Sequence, residues 1–147
     1  MKKSLLIVDD EPDLRLILSE RLAPRVEKVH LAGNGEEALA VLALHPEIGV
    51  VISDIRMPTL DGVGFIREAR ARDFHRPFIF FTAYATREVL KKVVQYGVYG
   101  FIDKDNLEGL EEALQASLEE PEELTDKELD RLLRELGHEK KSSEGGA

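Results

Sequence analysis

The chain has 147 residues, 43% of them hydrophobic and 33% charged, a balance that fits one globular domain with a short appendage. It has no cysteine, which excludes disulfides, zinc–thiolate centres and cysteine nucleophiles; its longest apolar runs, about four or five residues, are too short to span a membrane. Lys2 and Lys3 precede an apolar run, but Asp9 ends it too early for a signal peptide, so a cytoplasmic protein is expected. The net charge of −9 is uneven, with −5 on residues 119–147 and −4 on residues 1–118. That balance speaks against nucleic-acid binding, because phosphate contacts need clustered Lys and Arg.

Short apolar runs alternate with longer amphipathic stretches along the chain. Strands are expected at 4–8, 28–32, 50–53, 78–82 and 100–103, and helices at 12–22, 36–44, 62–72, 87–96 and 107–118. Four of the strands are nearly continuous in apolar residues, as strands buried on both faces are. Pro12 suits a first helical turn, and Gly97 stands where a left-handed cap follows the fourth helix. The alternation implies an α/β fold, a doubly wound parallel sheet with helices on both faces. A further amphipathic helix is expected at about 125–136. Thr125 and Glu128 form a capping box there, Leu124 and Leu129 have staple spacing, and Leu129, Leu132, Leu133 and Leu136 make one apolar face ended by Gly137. Residues 140–147 are expected to be disordered.

In a parallel α/β sheet the loops at the carboxyl ends of the strands form the functional rim. Asp9, Asp10 and Glu11 follow the first strand, Asp54 ends the third, Thr82 ends the fourth and Lys104 follows the fifth. Carboxylates from two strands repel one another unless a cation sits among them, and hard oxygen ligands suit Mg²⁺. Lys104 adds a second positive charge and Thr82 a hydroxyl. Such a set suits a phosphoryl group, with a carboxylate nucleophile and cationic partners for the oxygens. His30, His45, His75 and His138 are scattered in sequence and are expected to form no metal or catalytic set.

The strings Asp9-Asp10-Glu11-Pro12, Asp54-Ile55-Arg56-Met57-Pro58 with Asp61-Gly62, Thr82-Ala83 and Phe101-Ile102-Asp103-Lys104 resemble the receiver domain of two-component response regulators over roughly residues 4–118. The resemblance implies five parallel strands in the flavodoxin-like order 2-1-3-4-5 and a receiver at 1–118. Residues 119–147 are then an acidic tail carrying the short C-terminal helix. It also implies that Asp54 is the phosphoacceptor for a histidine kinase or phosphotransfer protein. Asp10, Asp54 and the main-chain carbonyl of Arg56 would ligate Mg²⁺, with Asp9 holding the metal directly or through water. Thr82 and Lys104 would bind the phosphoryl oxygens, and Phe101 would stand at the aromatic switch position. Phe101 is equally readable as plain core, and Glu11 as a complement to the helix dipole. Met57-Pro58 and Asp61-Gly62 would shape the loop after Asp54.

One departure is Asp105, where the family usually has proline after the lysine. A cis bond to a non-proline residue costs about 3–4 kcal/mol, so a trans bond is expected, with Lys104 placed differently. Another is Phe101, which lacks the hydroxyl of the commoner tyrosine. Arg56 and Tyr84, two residues after Asp54 and Thr82, are expected to flank the phosphoryl group, limit water access and slow self-dephosphorylation.

Residues 119–147 are too few and too acidic for a DNA-binding or catalytic module. Output is therefore expected through an unknown downstream protein, relay to another histidine, or homodimerisation, in a receiver that is stand-alone or cut from a longer regulator. The leucine stripe is expected to dock in a dimer or continue into a linker helix rather than pack on its own domain. Two other readings are a phosphorylation-independent receiver-like scaffold and an aspartate-nucleophile phosphohydrolase. The hydrolase places an acid two residues after its nucleophile, where this chain has Arg56.

Overall fold

The computed structural model describes residues 3–137. Five strands, β1 (Ser4–Val8), β2 (Val29–Ala32), β3 (Ile48–Ser53), β4 (Phe78–Thr82) and β5 (Gly100–Asp103), alternate with α1 (Pro12–Leu22), α2 (Gly35–Leu44), α3 (Gly62–Ala71), α4 (Arg87–Val93) and α5 (Leu107–Glu119). A sixth helix, α6 (Asp126–Glu135), follows. All strand pairs are parallel, in the order β2-β1-β3-β4-β5. β3 begins two residues earlier than the apolar run suggests, because Ile48 pairs with Ser4 and Gly49 leaves room for the Lys3 side chain. The fourth helix changes to a 3₁₀ turn at Val94–Tyr96, followed by Gly97 at φ 79°.

Period-two alternation along the strands divides the core. Leu5 and Ile7 of β1 face one side, with Val50, Ile52, Ile79 and Phe81, against Leu18 and Leu22 of α1 and Leu110 and Leu114 of α5. Leu6 and Val8 face the other, with Val51, Phe78, Phe80 and Phe101, against α2, α3 and α4. Every residue of β1, β3 and β4 is buried, which explains their continuous apolar character.

The C-terminal helix corrects the expectation drawn from its length. Its capping box forms, with the Glu128 amide donating to Thr125 Oγ1 at 3.2 Å and the Thr125 amide donating to Glu128 Oε1 at 3.0 Å. The leucine stripe does not wait for a second chain. Leu129, Leu132, Leu133 and Leu136 pack on the α2–α4 side of this domain's own core. Two backbone bonds fasten its ends, Leu124 N–H to Val98 O at 2.9 Å and Arg87 N–H to Gly137 O at 3.0 Å. The 3₁₀ turn, the Gly97 cap and the loop to β5 leave an apolar surface beside α4, and covering it offsets the cost of ordering a short helix. The expected disordered end, 140–147, lies outside the described residues.

Candidate functional site

The rim at the carboxyl ends of β1, β3 and β5 brings together residues far apart in sequence. Carboxylate oxygens of Asp9, Asp10 and Asp54 all lie within 4.8 Å of one another. Asp9 and Asp54 are buried, at 2% and 5% exposure, and Asp10 faces solvent. Lys104 Nζ sits between the buried pair, 2.7 Å from Asp54 Oδ2 and 2.9 Å from Asp9 Oδ2, and reaches Glu11 Oε1 at 3.2 Å.

Backbone groups hold the two buried carboxylates in place. The Asp54 amide donates to Val8 O at 2.9 Å, and Asp54 Oδ1 accepts from the Ile55 amide at 2.6 Å, leaving Oδ2 for Lys104. Asp9 Oδ1 accepts from the Glu11 amide, and Arg15 Nη1 donates to Asp9 O at 2.6 Å. After Asp54 the chain turns back so closely that a Cβ on Gly62 would lie 2.3 Å from Asp54 O. Only glycine fits there. Asp61 caps α3 by accepting from the Gly64 amide, and Thr59, between Asp54 and Asp61, takes φ 71°, an uncommon value for a β-branched residue.

Burial pushes the Asp9 carboxyl above its ordinary value, and the Asp54 charge adds to this against the Glu11 amide and Lys104. Burial alone would lower the Lys104 pKa, but its hydrogen bonds and attraction to Asp54 and Asp9 prevail and hold it above the ordinary lysine value. The site therefore sets Lys104 against three clustered acids, whose own ligand atoms are carboxylate oxygens. Such a set fits a small hard dication such as Mg²⁺.

Thr82 is fully buried at the end of β4, where its Oγ1 accepts from the Tyr84 amide at 3.0 Å. Phe101 is buried, paired across the sheet with Phe80. The peptide bond after Lys104 is trans, and Lys104 still reaches both buried acids. Its amide donates to Thr82 O at 3.1 Å, which sets the loop without proline. Asp105 is exposed, and its amide is held by Asp103 Oδ1 at 3.0 Å. Arg56 stacks on Tyr84, with Cζ 3.8 Å from the ring centroid, so the loops after β3 and β4 are joined by their side chains.

A family model described as the response regulator receiver domain matches residues 5–115. The chain belongs to that family. The receiver is 32% identical over 119 residues to the probable chemotaxis protein CheY of Rhizobium etli, covering 78% of this chain and 92% of that protein. It is 39% identical over 101 residues to the regulatory protein AtoC of Escherichia coli, 68% of this chain but only 22% of AtoC. Among solved structures, chemotaxis protein CheY4 of Vibrio cholerae superimposes with a TM-score of 0.72 at 30% identity, covering 80% of this chain and all of that one. A CheX–CheY–BeF₃–Mg²⁺ complex from Borrelia burgdorferi matches with a TM-score of 0.64 at 25% identity, over 76% of this chain and 89% of that one.

Glu11, read from the sequence as a complement to the helix dipole, pairs with Lys104 on the receiver's rim. Sequence reasoning missed Arg15, which binds the Asp9 carbonyl. Arg15 lies one helical turn after Glu11, a spacing that could have suggested it. The histidines need a correction. His30 and His45 are not scattered in space, since their ring centroids are 4.1 Å apart with Glu47 beside both. The α2 helix returns the chain to the end of the sheet where β2 begins, so residues 30, 45 and 47 converge. His75 is exposed beside Asp73, and His138 lies outside the described residues.

Proposed function

We propose that this receiver accepts a phosphoryl group on Asp54 from a histidine kinase or phosphotransfer protein and signals through altered binding to a downstream protein. The observation that carries the reading is a buried Asp54 carboxylate with Oδ2 held by Lys104 at 2.7 Å, beside the acids of β1. Asp54 Oδ2 attacks phosphorus as the bond from phosphorus to the donor histidine nitrogen breaks, giving an acyl phosphate and neutral imidazole once a proton returns to that nitrogen. Lys104 then moves its hydrogen bond from the carboxylate to a phosphoryl oxygen. Thr82 Oγ1 exchanges its bond from the Tyr84 amide for another phosphoryl oxygen, and Phe101 follows the space Thr82 vacates.

Asp9, Asp10, Asp54 and the Arg56 carbonyl would hold Mg²⁺, which when bound supplies the positive charge that offsets the acids and the incoming oxygens. The stacked Arg56 and Tyr84 shield the acyl phosphate from water and prolong its life to minutes or longer. Leu16 and Ile17 on α1, each more than half exposed, offer an apolar surface for a protein partner. The acidic charge favours protein partners over nucleic acid. No helix among the described residues is long and apolar enough to cross a membrane. A donor histidine kinase or phosphotransfer protein of the kind proposed here places the receiver in the cytoplasm. Residues 1–118 form the phosphoacceptor unit, and residues 119–147 a tail whose helix rests on it. That docking leaves the leucine stripe unavailable for a homodimer.

The test is labelling by acetyl phosphate or phosphoramidate with and without Mg²⁺. Wild type is labelled only with Mg²⁺, and Asp54→Asn, still folded, is not. Labelling of Asp54→Asn would overturn the site, and an unlabelled wild type would favour the phosphorylation-independent scaffold. Decay of the labelled protein tests shielding: Arg56→Asn with Tyr84→Glu loses label faster than wild type, and equal rates refute the shield.

A further inference from the structure

At the amino-terminal end of the sheet, three metal-ligating side chains from the edge strand and the turn between α2 and β3 converge. His30 comes from the edge strand β2, His45 ends α2, and Glu47 lies just before β3. Glu47 Oε2 is 3.3 Å from His45 Nδ1 and 3.6 Å from His30 Nε2. One donor atom from each residue lies within 4.8 Å of the other two. The His30 side chain is only 8% exposed, yet its Nε2 has no hydrogen-bond partner. A buried imidazole nitrogen left in that state is costly unless something else occupies its lone pair.

We propose that His30, His45 and Glu47 form a binding site for one divalent transition-metal ion of the Zn²⁺ class, at the end of the sheet opposite Asp54. Tetrahedral bonds of about 2.0–2.1 Å separate neighbouring ligand atoms by about 3.3–3.4 Å, close to the two distances that Glu47 makes. Two imidazoles and one carboxylate suit Zn²⁺ and its neighbours, whereas Mg²⁺ selects oxygen donors, so the two rims of the sheet would sort the two ions. The backbone on either side of Glu47 is held in advance. Arg76 Nη1 donates to Pro46 O at 2.8 Å and to Ile48 O at 2.6 Å, bracketing Glu47 on both sides. His45 and Glu47 are partly exposed, giving the ion a path in and leaving a fourth position for water. The negative end of the α2 dipole at His45 also favours a cation.

A bound ion would clip the edge strand β2 to the turn between α2 and β3. Its distance from Asp54 is on the order of 20 Å, the length of a six-residue strand, so it acts on stability and not on phosphoryl chemistry.

The test is a calorimetric titration of the full chain with Zn²⁺ in excess Mg²⁺, together with thermal unfolding. The expected result is one high-affinity Zn²⁺ per chain and a raised unfolding midpoint. His45→Gln and Glu47→Gln, both at partly exposed positions where folding is retained, each weaken binding at least about tenfold and abolish the thermal shift. Asp54→Asn binds Zn²⁺ as wild type does. Absence of saturable Zn²⁺ binding, or binding unchanged in both variants, would overturn the proposal.

Discussion

Replacing Lys104 by methionine removes the cation and keeps most of the side-chain volume, so the loss reports charge. Lys104 is 16% exposed at the side chain and touches carboxylates that are 2% and 5% exposed. At an effective dielectric of about 20, contacts of 2.7–2.9 Å carry a gross attraction of about 6 kcal/mol each. Against this stand the desolvation of lysine and the repulsion between acids within 4.8 Å, at least about 3.5 kcal/mol per pair on the same scale. Removing one member of a buried ion cluster typically costs about 3–5 kcal/mol, because the partners stay buried and unpaired. For a chain of this length that is a fall in Tm on the order of 10 °C. Added Mg²⁺ supplies the missing charge to the same carboxylates, so the penalty in millimolar Mg²⁺ should shrink to less than half its value in EDTA. Urea unfolding of both proteins under both conditions measures the difference. A penalty below about 1 kcal/mol in EDTA, or one that Mg²⁺ leaves unchanged, would refute the view that Lys104 and a metal neutralise one cluster.

Leu132→Ala should lower stability by about 1–2 kcal/mol, less than a fully buried leucine, because α6 is only half-buried on its domain. Removing residues 120–147 should likewise lower Tm without changing the oligomeric state measured by light scattering. The capping box makes α6 sensitive to acid. Hydrogen bonds from the Thr125 backbone and hydroxyl hold the Glu128 carboxyl below its ordinary value of 4.5. A depressed carboxylate contributes stability that is present above the unfolded pKa and lost as pH falls through the folded one. The protection of α6 amides, corrected for the intrinsic exchange rate at each pH, should therefore fall below about pH 4.5 in wild type, and Glu128→Gln should flatten that dependence. Thr59 takes a left-handed conformation that costs a β-branched residue about 1–3 kcal/mol, so Thr59→Gly should raise stability by about 1 kcal/mol in denaturant titration. No gain would mean that side-chain contacts of Thr59 offset the strain.

What the sequence determined by itself was local or periodic. Continuous apolar runs marked strands buried on both faces, and their alternation with helices dictated a parallel sheet whose carboxyl-end loops gather Asp9, Asp10, Asp54 and Lys104. Pro12, Gly97 and the Thr125–Glu128 box were readable because each acts within a few residues of itself. What needed the tertiary structure was long-range. The docking of α6 depends on the surface that α4 and the loop before β5 leave uncovered, which no helical period encodes. The His30–His45–Glu47 cluster depends on where α2 returns the chain, and the bond that Lys104 donates to Glu11 on the placement of β1 and β5 with two strands between them. Period and capping energies are properties of a segment, whereas these contacts are properties of distances between segments, fixed only when the sheet assembles.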